Sequence, residues 1–348
     1  MQKFFSEIKG YANWLVGLSP QKIGFWLECA RAYSLPITVL SWAVIFVYSL
    51  KFGRTDLIHE KIFSAVLGLI CLVGVACVHM ATNLIDDYYD YRILSLDVEF
   101  MNSAQECKCR YLKEGLATKK ELKFAIITFL LIAVIIGSVL FCTVGMYVAF
   151  LALAGLVVAV FYQKLSLVGL GELAVIIAYG PLLFEGTYYV MTGDFSWTVF
   201  LLSVGCSTFT NTILYAHMLM DFDGDKCSHK TTICQKLKTK NAALNFILVF
   251  YLTGLLAMIG MSFRTGNFFY CLPWLTLFMI ADLYKSLKTY NEDKTNVPKV
   301  HFWHKPLDNW AAVSKTEDAP FYFRFFYSRN IVTWFMVLVC VAILTGRK

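Results

Sequence analysis

Nine long apolar stretches constrain the fold of this chain more than any other feature of its sequence. A helix that crosses the hydrocarbon core of a bilayer needs roughly 17 to 25 mostly apolar residues, and each stretch has about that length. The stretches lie near residues 34–50, 62–85, 122–142, 144–162, 172–191, 197–220, 241–261, 267–285 and 329–346. The pattern predicts an all-α fold, a polytopic membrane bundle of nine transmembrane helices.

The composition of the chain agrees with this prediction. Of its 348 residues, 58% are hydrophobic and only 16% are charged, which is outside the range of ordinary soluble domains. No segment between the stretches is long enough for a separate soluble domain, so we expect one transmembrane domain over residues 1–348. The net charge of +7 comes from basic residues dispersed among loops that also hold acids, and we expect no nucleic-acid partner.

The distribution of basic residues predicts the orientation in the membrane. Lysine and arginine accumulate in cytoplasmic loops, and here they are concentrated in residues 86–121, 222–240 and 286–328. The connections after the third and fifth stretches contain no basic residue. Nine spans with a cytoplasmic N-terminus place all three basic loops in the cytoplasm, where 86–121 and 222–240 would cap the bundle.

The segment before the first stretch, residues 1–30, has the pattern of an amphipathic helix lying on the membrane surface. Its apolar residues recur at helical spacing among Lys3, Glu7 and Lys9, which favours an interfacial helix. The alternative is a frayed polar end. The apolar residues that carry the pattern are Phe4, Phe5, Ile8, Tyr11, Trp14 and Leu15.

Two acidic clusters follow the second and sixth stretches. Asn83, Asp87 and Asp90 are separated by four and three residues, so they share one face of a helix, and Asp221 and Asp225 are four residues apart. Both helices run toward the cytoplasm in the predicted orientation. The two clusters therefore emerge on the same side of the membrane. Taken singly, each cluster would be read as an ordinary solvated helix end.

Carboxylates close to an apolar core require a compensating cation. An acid at the centre of a bilayer helix costs on the order of 2.5 to 3.5 kcal/mol, less near the interface, and neighbouring acids repel one another. Mg²⁺ prefers carboxylate oxygens, keeps several waters and is often completed by substrate phosphates. Two facing acidic helices are thus suited to holding Mg²⁺ and a diphosphate.

Six motifs are spread over most of the chain: ARAYSLP at residues 30–36, NLIDDYYD at 83–90, RYLKEGL at 110–116, GLGEL at 169–173, GTYYV at 186–190 and the segment 221–232. Together they resemble the motifs of the UbiA superfamily of intramembrane prenyltransferases, which have nine helices and aspartate-rich motifs on helices 2 and 6. The resemblance is strongest to the branch that prenylates 1,4-dihydroxy-2-naphthoate for menaquinone.

The sequence departs from that branch at three places. The segment before the second acidic cluster is His217-Met218-Leu219-Met220, where the branch has an amide and an arginine. His217, one turn before Asp221, substitutes for them as a polar partner in our interpretation. The tyrosine-proline segment after helix 4 is shortened to Tyr162-Gln163-Lys164, and the loop 286–328 is longer than in the family.

The resemblance implies an Mg²⁺-dependent transfer of a polyprenyl group from a polyprenyl diphosphate to an aromatic acceptor, within the lipid bilayer. It implies that Asp87, Asp90, Asp221 and Asp225 hold the metal ion, with Asn83 assisting. Diphosphate contacts are expected from the capping loops, and substrate contacts from the helices. The expected residues are Arg110, Lys113 and Lys230 for the diphosphate, and Arg31, Tyr162 and His217 for the substrates.

Other interpretations remain open from the sequence alone. The acceptor could be 4-hydroxybenzoate or a lipid glycerol, and a membrane transporter could use the same acids as a relay, although transporter acids lie at mid-membrane depth. Arg31 could instead extend toward the membrane surface from the start of the first helix. Cys107, Cys109, Cys227 and Cys234 match no tetrahedral zinc signature. We expect a bacterial cytoplasmic membrane, with the active site facing the cytoplasm.

Overall fold

The computed structural model describes residues 2–53, 57–94, 109–227 and 231–346, and in these residues it is helical with no strand. The first half contains α1 Gln2–Val16, α2 Pro20–Cys29, α3 Leu35–Phe52, α4 Ile58–Leu94, α5 Arg110–Lys113, α6 Lys119–Val144, α7 Tyr147–Leu167, α8 Gly171–Ile177 and α9 Leu183–Thr192. The second half contains α10 Trp197–Met220, α11 Phe222–Cys227, α12 Ile233–Lys236, α13 Lys240–Thr265, α14 Leu277–Glu292, α15 Trp310–Val313 and α16 Ala319–Thr345.

Eight helical segments in the described residues are long and apolar enough to cross a membrane. They correspond to all the predicted spans except 267–285. That segment is a 3-10 helix, Phe268–Thr276, which contains Pro273 and continues directly into α14. The prediction of an all-helical membrane bundle is confirmed. The count of nine spans and the cytoplasmic N-terminus stay predictions.

The predicted N-terminal segment forms two helices rather than one. The break falls at the residues between α1 and α2, where the Ser19 side chain accepts a hydrogen bond from the backbone N–H of Lys22 and Pro20 opens α2. Serine at the N-cap and proline at the first position are both favourable for starting a helix. The ring of Trp26 packs edge-on against Trp14 and Tyr111, which attaches this segment to the bundle.

The bundle is centred on α10, which is the most buried of the eight spans. It packs closely on α13 because small residues occupy both sides of the contact. A Cβ atom added at Gly254 would lie 2.4 Å from the ring of Phe209, and one at Gly205 would lie 2.3 Å from Met258. Small residues of this kind allow helix backbones to approach closely in membranes. Phe209 also stacks on Phe335 of α16, with ring centroids 3.7 Å apart.

The fifth span is distorted at its centre. Residues Ala178–Leu182 form a π-helical turn between α8 and α9, and Gly180 has non-helical backbone angles next to Pro181. A Cβ atom at Gly180 would lie 2.6 Å from Ser207 Oγ, so glycine allows α10 to approach this turn. Proline removes a backbone donor, and π-turns inside α-helices are frequent at functional sites.

The last connection is shorter and more ordered than the sequence predicts. The predicted loop covers residues 286–328, whereas α14 extends to Glu292 and α16 begins at Ala319. Arg324 is fully buried, and its guanidinium donates to the carbonyls of Ser286, Asn296 and Pro320. These bonds attach the start of the connection to both flanking helices.

Candidate active site

The first acidic cluster lies on one face of α4, as its spacing predicts. Asp87 and Asp90 are buried, with exposures of 2% and 3%. Asn83 Nδ2 donates a hydrogen bond of 2.9 Å to the carbonyl of Ala30, the residue before Arg31. In this structure the amide therefore supports the chain that carries Arg31, and its assistance in metal binding stays a prediction.

Asp87 is hydrogen-bonded through both of its carboxylate oxygens. The Arg31 guanidinium binds Oδ1 and also lies 3.7 Å from Asp86, while the hydroxyl of Tyr111 donates to Oδ2 over 3.0 Å. The thiol of Cys109 donates to the backbone carbonyl of Asp87 over 3.2 Å. The structure thus places Arg31 on the first aspartate cluster, and its contact with a substrate stays a prediction.

The backbone at Arg31 is unusual and explains how its side chain reaches Asp87. Arg31 has φ 56° and ψ 45°, a left-handed conformation that few non-glycine residues adopt. Its carbonyl accepts a 2.7 Å hydrogen bond from Ser34 Oγ, and the preceding carbonyl accepts from Asn83. Hydrogen bonds on both sides hold the turn that directs the guanidinium toward α4.

Tyr111 remains a hydrogen-bond donor at this site. Burial, and then the negative charge of Asp87, raise the pKa of the phenol. A raised pKa keeps the hydroxyl protonated across the physiological range, so it continues to donate to the carboxylate. Tyr111 belongs to the RYLKEGL motif, of which only the basic residues are predicted as site residues from the sequence.

Asp90 is hydrogen-bonded to a residue of the fourth span. Gln163 Nε2 donates to Asp90 Oδ1 over 2.9 Å, and Gln163 itself is buried. The neighbouring Tyr162, a predicted substrate contact, is half-buried. A buried amide near the end of an apolar span is costly unless it has a partner, and this signal was available in the sequence.

The second acidic cluster surrounds the end of α10. Asp221 caps the helix, and one turn later the backbone N–H of Asp225 donates to the carbonyl of Asp221 over 2.9 Å. His217 Nδ1 lies 3.4 Å from Asp221 Oδ2, and its ring packs edge-on against Phe321. The structure therefore brings His217 to Asp221, as the spacing predicts. Asp225 is buried, whereas Asp221 is partly exposed.

Contacts between the loops bring the two clusters to one end of the bundle, here called the aspartate end. Glu172, at the start of the fifth span, accepts a 3.1 Å hydrogen bond from the backbone N–H of Ile233. Lys236 Nζ donates to the carbonyl of Val168 over 2.8 Å. The segment that follows the second cluster is thus attached to the ends of the helices that hold Gln163 and Glu172.

The three residues predicted to contact the diphosphate differ in their exposure to solvent and in whether the structure describes them. Arg110 is exposed, and its Nε lies 2.6 Å from Glu114. Lys113 is half-buried, and Lys230 lies outside the described residues. Two lysines outside the predicted set contact Asp223, which lies between the two members of the second cluster: Asp223 Oδ2 lies 2.6 Å from Lys240 and 3.0 Å from Lys294.

A closed metal cage is not found in the part of the chain that the structure describes. No group of three or more His, Cys, Asp or Glu side chains lies close enough together there to hold an ion. Cys109 and Cys234 are separate buried thiols, while Cys107 is outside the described residues. The acidic side chains are instead arranged as two clusters on two helices.

Fold and site together define a helical membrane protein with buried carboxylates and cations at one end of its bundle. Residues 57–305 match the model of the UbiA prenyltransferase family. The chain belongs to this family and is an integral membrane prenyltransferase, which confirms the resemblance noted in the sequence.

Among known proteins, the chain is similar to 1,4-dihydroxy-2-naphthoate octaprenyltransferase of Haemophilus influenzae, with 25% identity over 227 residues, 62% of this chain and 70% of that protein. It is also similar to 2-carboxy-1,4-naphthoquinone phytyltransferase of Synechocystis, with 26% identity over 255 residues, 72% and 74% of the two chains.

Two solved structures share the fold. A UbiA homolog from Aeropyrum pernix has a TM-score of 0.55 at 15% identity, covering 88% of this chain and 98% of that one. A UbiA homolog from Archaeoglobus fulgidus, bound to GPP and Mg²⁺, has a TM-score of 0.54 at 13% identity, covering 92% and 99%.

Proposed function

We propose that this prenyltransferase moves a polyprenyl group from a polyprenyl diphosphate to an aromatic acceptor of the 1,4-dihydroxy-2-naphthoate type, with Mg²⁺ as the metal ion. The observation that carries the proposal is the pair of acidic clusters at one end of the bundle, with Asp87, Asp90 and Asp225 all buried. Buried carboxylates at the membrane boundary suit a metal cation that also binds phosphate oxygens.

The donor set fits Mg²⁺. This ion is commonly bound through one or two carboxylates together with water and substrate phosphates, and it does not require a cage made only of protein. Asp87 and Asp90 would supply oxygens from α4, and Asp221 and Asp225 would supply them from the end of α10. When bound, the metal neutralises the negative charge that develops on the departing diphosphate.

The basic side chains of the site would also stabilise the negative charge on the departing diphosphate. Arg31 already lies at the first cluster, and a guanidinium presents several donors in a fixed plane that suits phosphate oxygens. Lys113, Arg110 and Lys230 belong to the segments proposed to cap the aspartate end. Preorganised positive charge at a leaving group is usually the largest single contribution to catalysis of this kind.

The acceptor class is supported by the relatives. Two proteins of about 25% identity are named for dihydroxynaphthoate or a carboxynaphthoquinone, both bicyclic aromatic acids. An acidic acceptor would approach most easily from the side that carries the basic loops, which we propose to be cytoplasmic. The prenyl tail is as apolar as lipid and would lie between the helices.

The test is a prenylation assay with protein purified in lipid nanodiscs. Wild-type protein, Mg²⁺, a polyprenyl diphosphate and dihydroxynaphthoate should give a product in which the prenyl group replaces a ring proton or the carboxyl group, released as H⁺ or CO₂, together with one pyrophosphate per turnover. Asp87→Asn and Asp225→Asn should each lower kcat by about a hundredfold or more. Asp308→Asn, a change at an exposed carboxylate paired with Arg329, is the matched control and should leave the rate unchanged.

Three results would contradict the proposal at different levels. Full activity of Asp87→Asn, or of wild type in excess EDTA, would remove the metal-diphosphate mechanism. Prenylation of 4-hydroxybenzoate or of a lipid glycerol in place of dihydroxynaphthoate would change the acceptor but keep the mechanism. Release of no pyrophosphate with any acceptor would contradict the transfer reaction itself.

A further inference from the structure

A second polar cluster lies deeper in the bundle than the aspartates. His79 is on α4, one turn before Asn83 and two turns before Asp87, so it lies on the same face and about 12 Å from Asp87 along the helix axis. Its ring contacts three hydroxyls from two other spans: Ser34 and Thr38 at the start of the first span, and Tyr179 in the fifth.

The hydrogen bonds of this cluster determine where the imidazole proton is. Ser34 Oγ donates its only proton to the carbonyl of Arg31, over 2.7 Å. At the 3.1 Å contact between Ser34 Oγ and His79 Nε2, the serine oxygen must therefore accept, so Nε2 carries the proton. In a neutral imidazole Nδ1 is then an acceptor, and it faces Thr38 Oγ1 at 2.6 Å and Tyr179 OH at 3.1 Å.

One hydrogen-bonding position remains open in this arrangement. Thr38 Oγ1 and Tyr179 OH are also 3.1 Å apart, so the two hydroxyls and Nδ1 form a triangle. The two hydroxyl protons are both used when Thr38 Oγ1 donates to His79 Nδ1, the shortest of the three contacts, and Tyr179 OH donates to Thr38 Oγ1. The phenol oxygen of Tyr179 then keeps its acceptor lone pairs. Thr38 is buried, whereas His79 and Tyr179 are half-buried.

The backbone of the fifth span is distorted at this point. Tyr179 is the second residue of the π-helical turn, between Ala178 and the kinked Gly180. Pro181 removes a backbone hydrogen-bond donor from this turn, and Gly180 has non-helical backbone angles and lies close to Ser207. A regular helix would have neither the missing hydrogen bond nor the departure from helical angles. From this turn the Tyr179 hydroxyl contacts Thr38 of α3 and His79 of α4.

We propose that His79, Thr38 and Tyr179 form the subsite that binds a ring hydroxyl of the aromatic acceptor. A hydroxyl of the acceptor would donate to the phenol oxygen of Tyr179, which His79 and Thr38 hold in place. The prenyl tail has no hydrogen-bonding group and gains nothing from these side chains, so their ligand is the hydroxylated substrate. This inference rests on the proposed function.

The position suits an acceptor that must meet the allylic carbon of the diphosphate. Arg31 connects the first acidic cluster to the polar cluster around His79. Its guanidinium binds Asp87, and its carbonyl accepts a hydrogen bond from Ser34, which in turn contacts His79. A diphosphate at the aspartates and a ring hydroxyl at Tyr179 would place the acceptor ring between them. Tyr179 would thus orient the ring carbon that forms the new bond.

The experiment compares Tyr179→Phe with Tyr189→Phe in nanodiscs. Tyr179→Phe keeps the aromatic ring and removes only the hydroxyl. Its KM for dihydroxynaphthoate should rise about three- to tenfold, the loss expected for one hydrogen bond, while its KM for polyprenyl diphosphate should not change. Tyr189→Phe, ten residues further along the same span and beside Phe195, is the matched control. It should change neither value.

A substrate lacking one hydroxyl makes the test specific. For wild type, 1-hydroxy-2-naphthoate should bind more weakly than the dihydroxy compound by about the same factor. In Tyr179→Phe this difference should disappear, because the protein group that recognised the hydroxyl is absent. His79→Leu should act like Tyr179→Phe, and His79→Gln, which keeps a donor for Ser34, should recover part of the affinity.

The outcomes separate this inference from the proposed function. If wild type prenylates dihydroxynaphthoate and Tyr179→Phe retains the wild-type acceptor KM and the wild-type difference between the two naphthoates, the subsite assignment is wrong and the proposed function stands. If the variant instead raises both substrate KM values equally, the cluster is structural and the assignment is again wrong. If wild type does not accept dihydroxynaphthoate, the acceptor assignment of the proposed function is wrong, and the subsite assignment falls with it.

Discussion

Arg31 and Asp87 form an ion pair between the turn that precedes the first span and the second span, 56 residues away in the sequence. The pair supplies a positive charge to a carboxylate that is almost fully buried. It also places a guanidinium beside the proposed diphosphate site.

Removing this guanidinium should destabilise the protein. In Arg31→Ala, the buried carboxyl of Asp87 has no cation beside it and must either carry an uncompensated charge or take up a proton, and we expect a loss of roughly 2 to 3 kcal/mol in the free energy of unfolding. Arg110→Ala, at an exposed ion pair, should cost under about 0.5 kcal/mol. The measurement is chemical unfolding in detergent micelles. The double variant Arg31→Ala with Asp87→Asn should lose less than the sum of the two single changes, and additivity would argue against the pair.

The amide of Gln163 should matter for the diphosphate substrate. Gln163→Leu removes the donor that orients Asp90, so kcat/KM for polyprenyl diphosphate should fall about tenfold, while the acceptor KM stays unchanged. Lys164→Gln changes the next residue, whose side chain is exposed, and serves as the control. Equal kinetics for the two variants would mean that Gln163 does not position Asp90.

The contact between Asp223 and its two lysines should make a small part of the stability depend on pH. The hydrogen bond from Lys240, and then that from Lys294, lower the pKa of Asp223. A lowered folded-state pKa stabilises the protein above the unfolded value of about 3.9, and this stabilisation is lost as the pH falls through the folded value. Because Asp223 is half exposed, the effect should be a few tenths of a kcal/mol.

The measurement for this contact is the difference in melting temperature between wild type and Asp223→Asn across pH. Wild type should be slightly more stable at pH 7, and the difference should shrink below about pH 4. A difference that stays constant down to pH 3 would show that the charge of Asp223 is not responsible.

The buried guanidinium of Arg324 should control the order of the last connection. Arg324→Met removes the donors to the carbonyls of Ser286 and Asn296 and leaves these groups without their partner, at a cost of about 3 kcal/mol. Limited proteolysis should then cut residues 293–318 faster than in wild type. Lys315→Met, an exposed change within the connection, should not alter the cleavage rate. Equal cleavage of Arg324→Met and wild type would contradict this role.

Close packing at the centre of the bundle should make Gly254 intolerant of substitution. The Cβ of Gly254→Ala would lie 2.4 Å from the ring of Phe209, so the helices must separate, at a cost of about 1 to 3 kcal/mol. Gly137→Ala in α6 has no atom within 4 Å and should be neutral or slightly stabilising. Melting temperatures of the two variants provide the comparison, and equal values would contradict the close contact.

The sequence predicts the local features of this molecule well. Spacing alone places Asp87 and Asp90 on one face of α4, and the same rule brings His217 next to Asp221. Apolar length identifies eight of the spans. These features depend on residues within one helix, where position in the sequence determines position in space.

The interactions between helices were harder to predict. The bonds from Arg31 to Asp87 and from Gln163 to Asp90 join residues 56 and 73 positions apart, and periodicity carries no information about such pairs. The beginning of α16, at Ala319, also lies about ten residues before the predicted start of the ninth span. Its first turns contain the polar Arg324, which hydropathy assigns to a loop, although tertiary contacts bury it completely.

The length of α4 has a consequence for how the two substrates are divided between lipid and water. Its 37 residues make a helix about 55 Å long, whereas the hydrocarbon of a bilayer is about 30 Å thick. A tilt of about 20° shortens the vertical extent by only a few ångströms, so roughly 20 Å must project beyond the hydrocarbon. With the apolar residues 62–85 in the hydrocarbon, as their composition predicts, Asp87 and Asp90 would lie in the projecting part. A diphosphate held there would stay hydrated among the lipid headgroups, while its isoprenoid tail would remain in the hydrocarbon core of the bilayer.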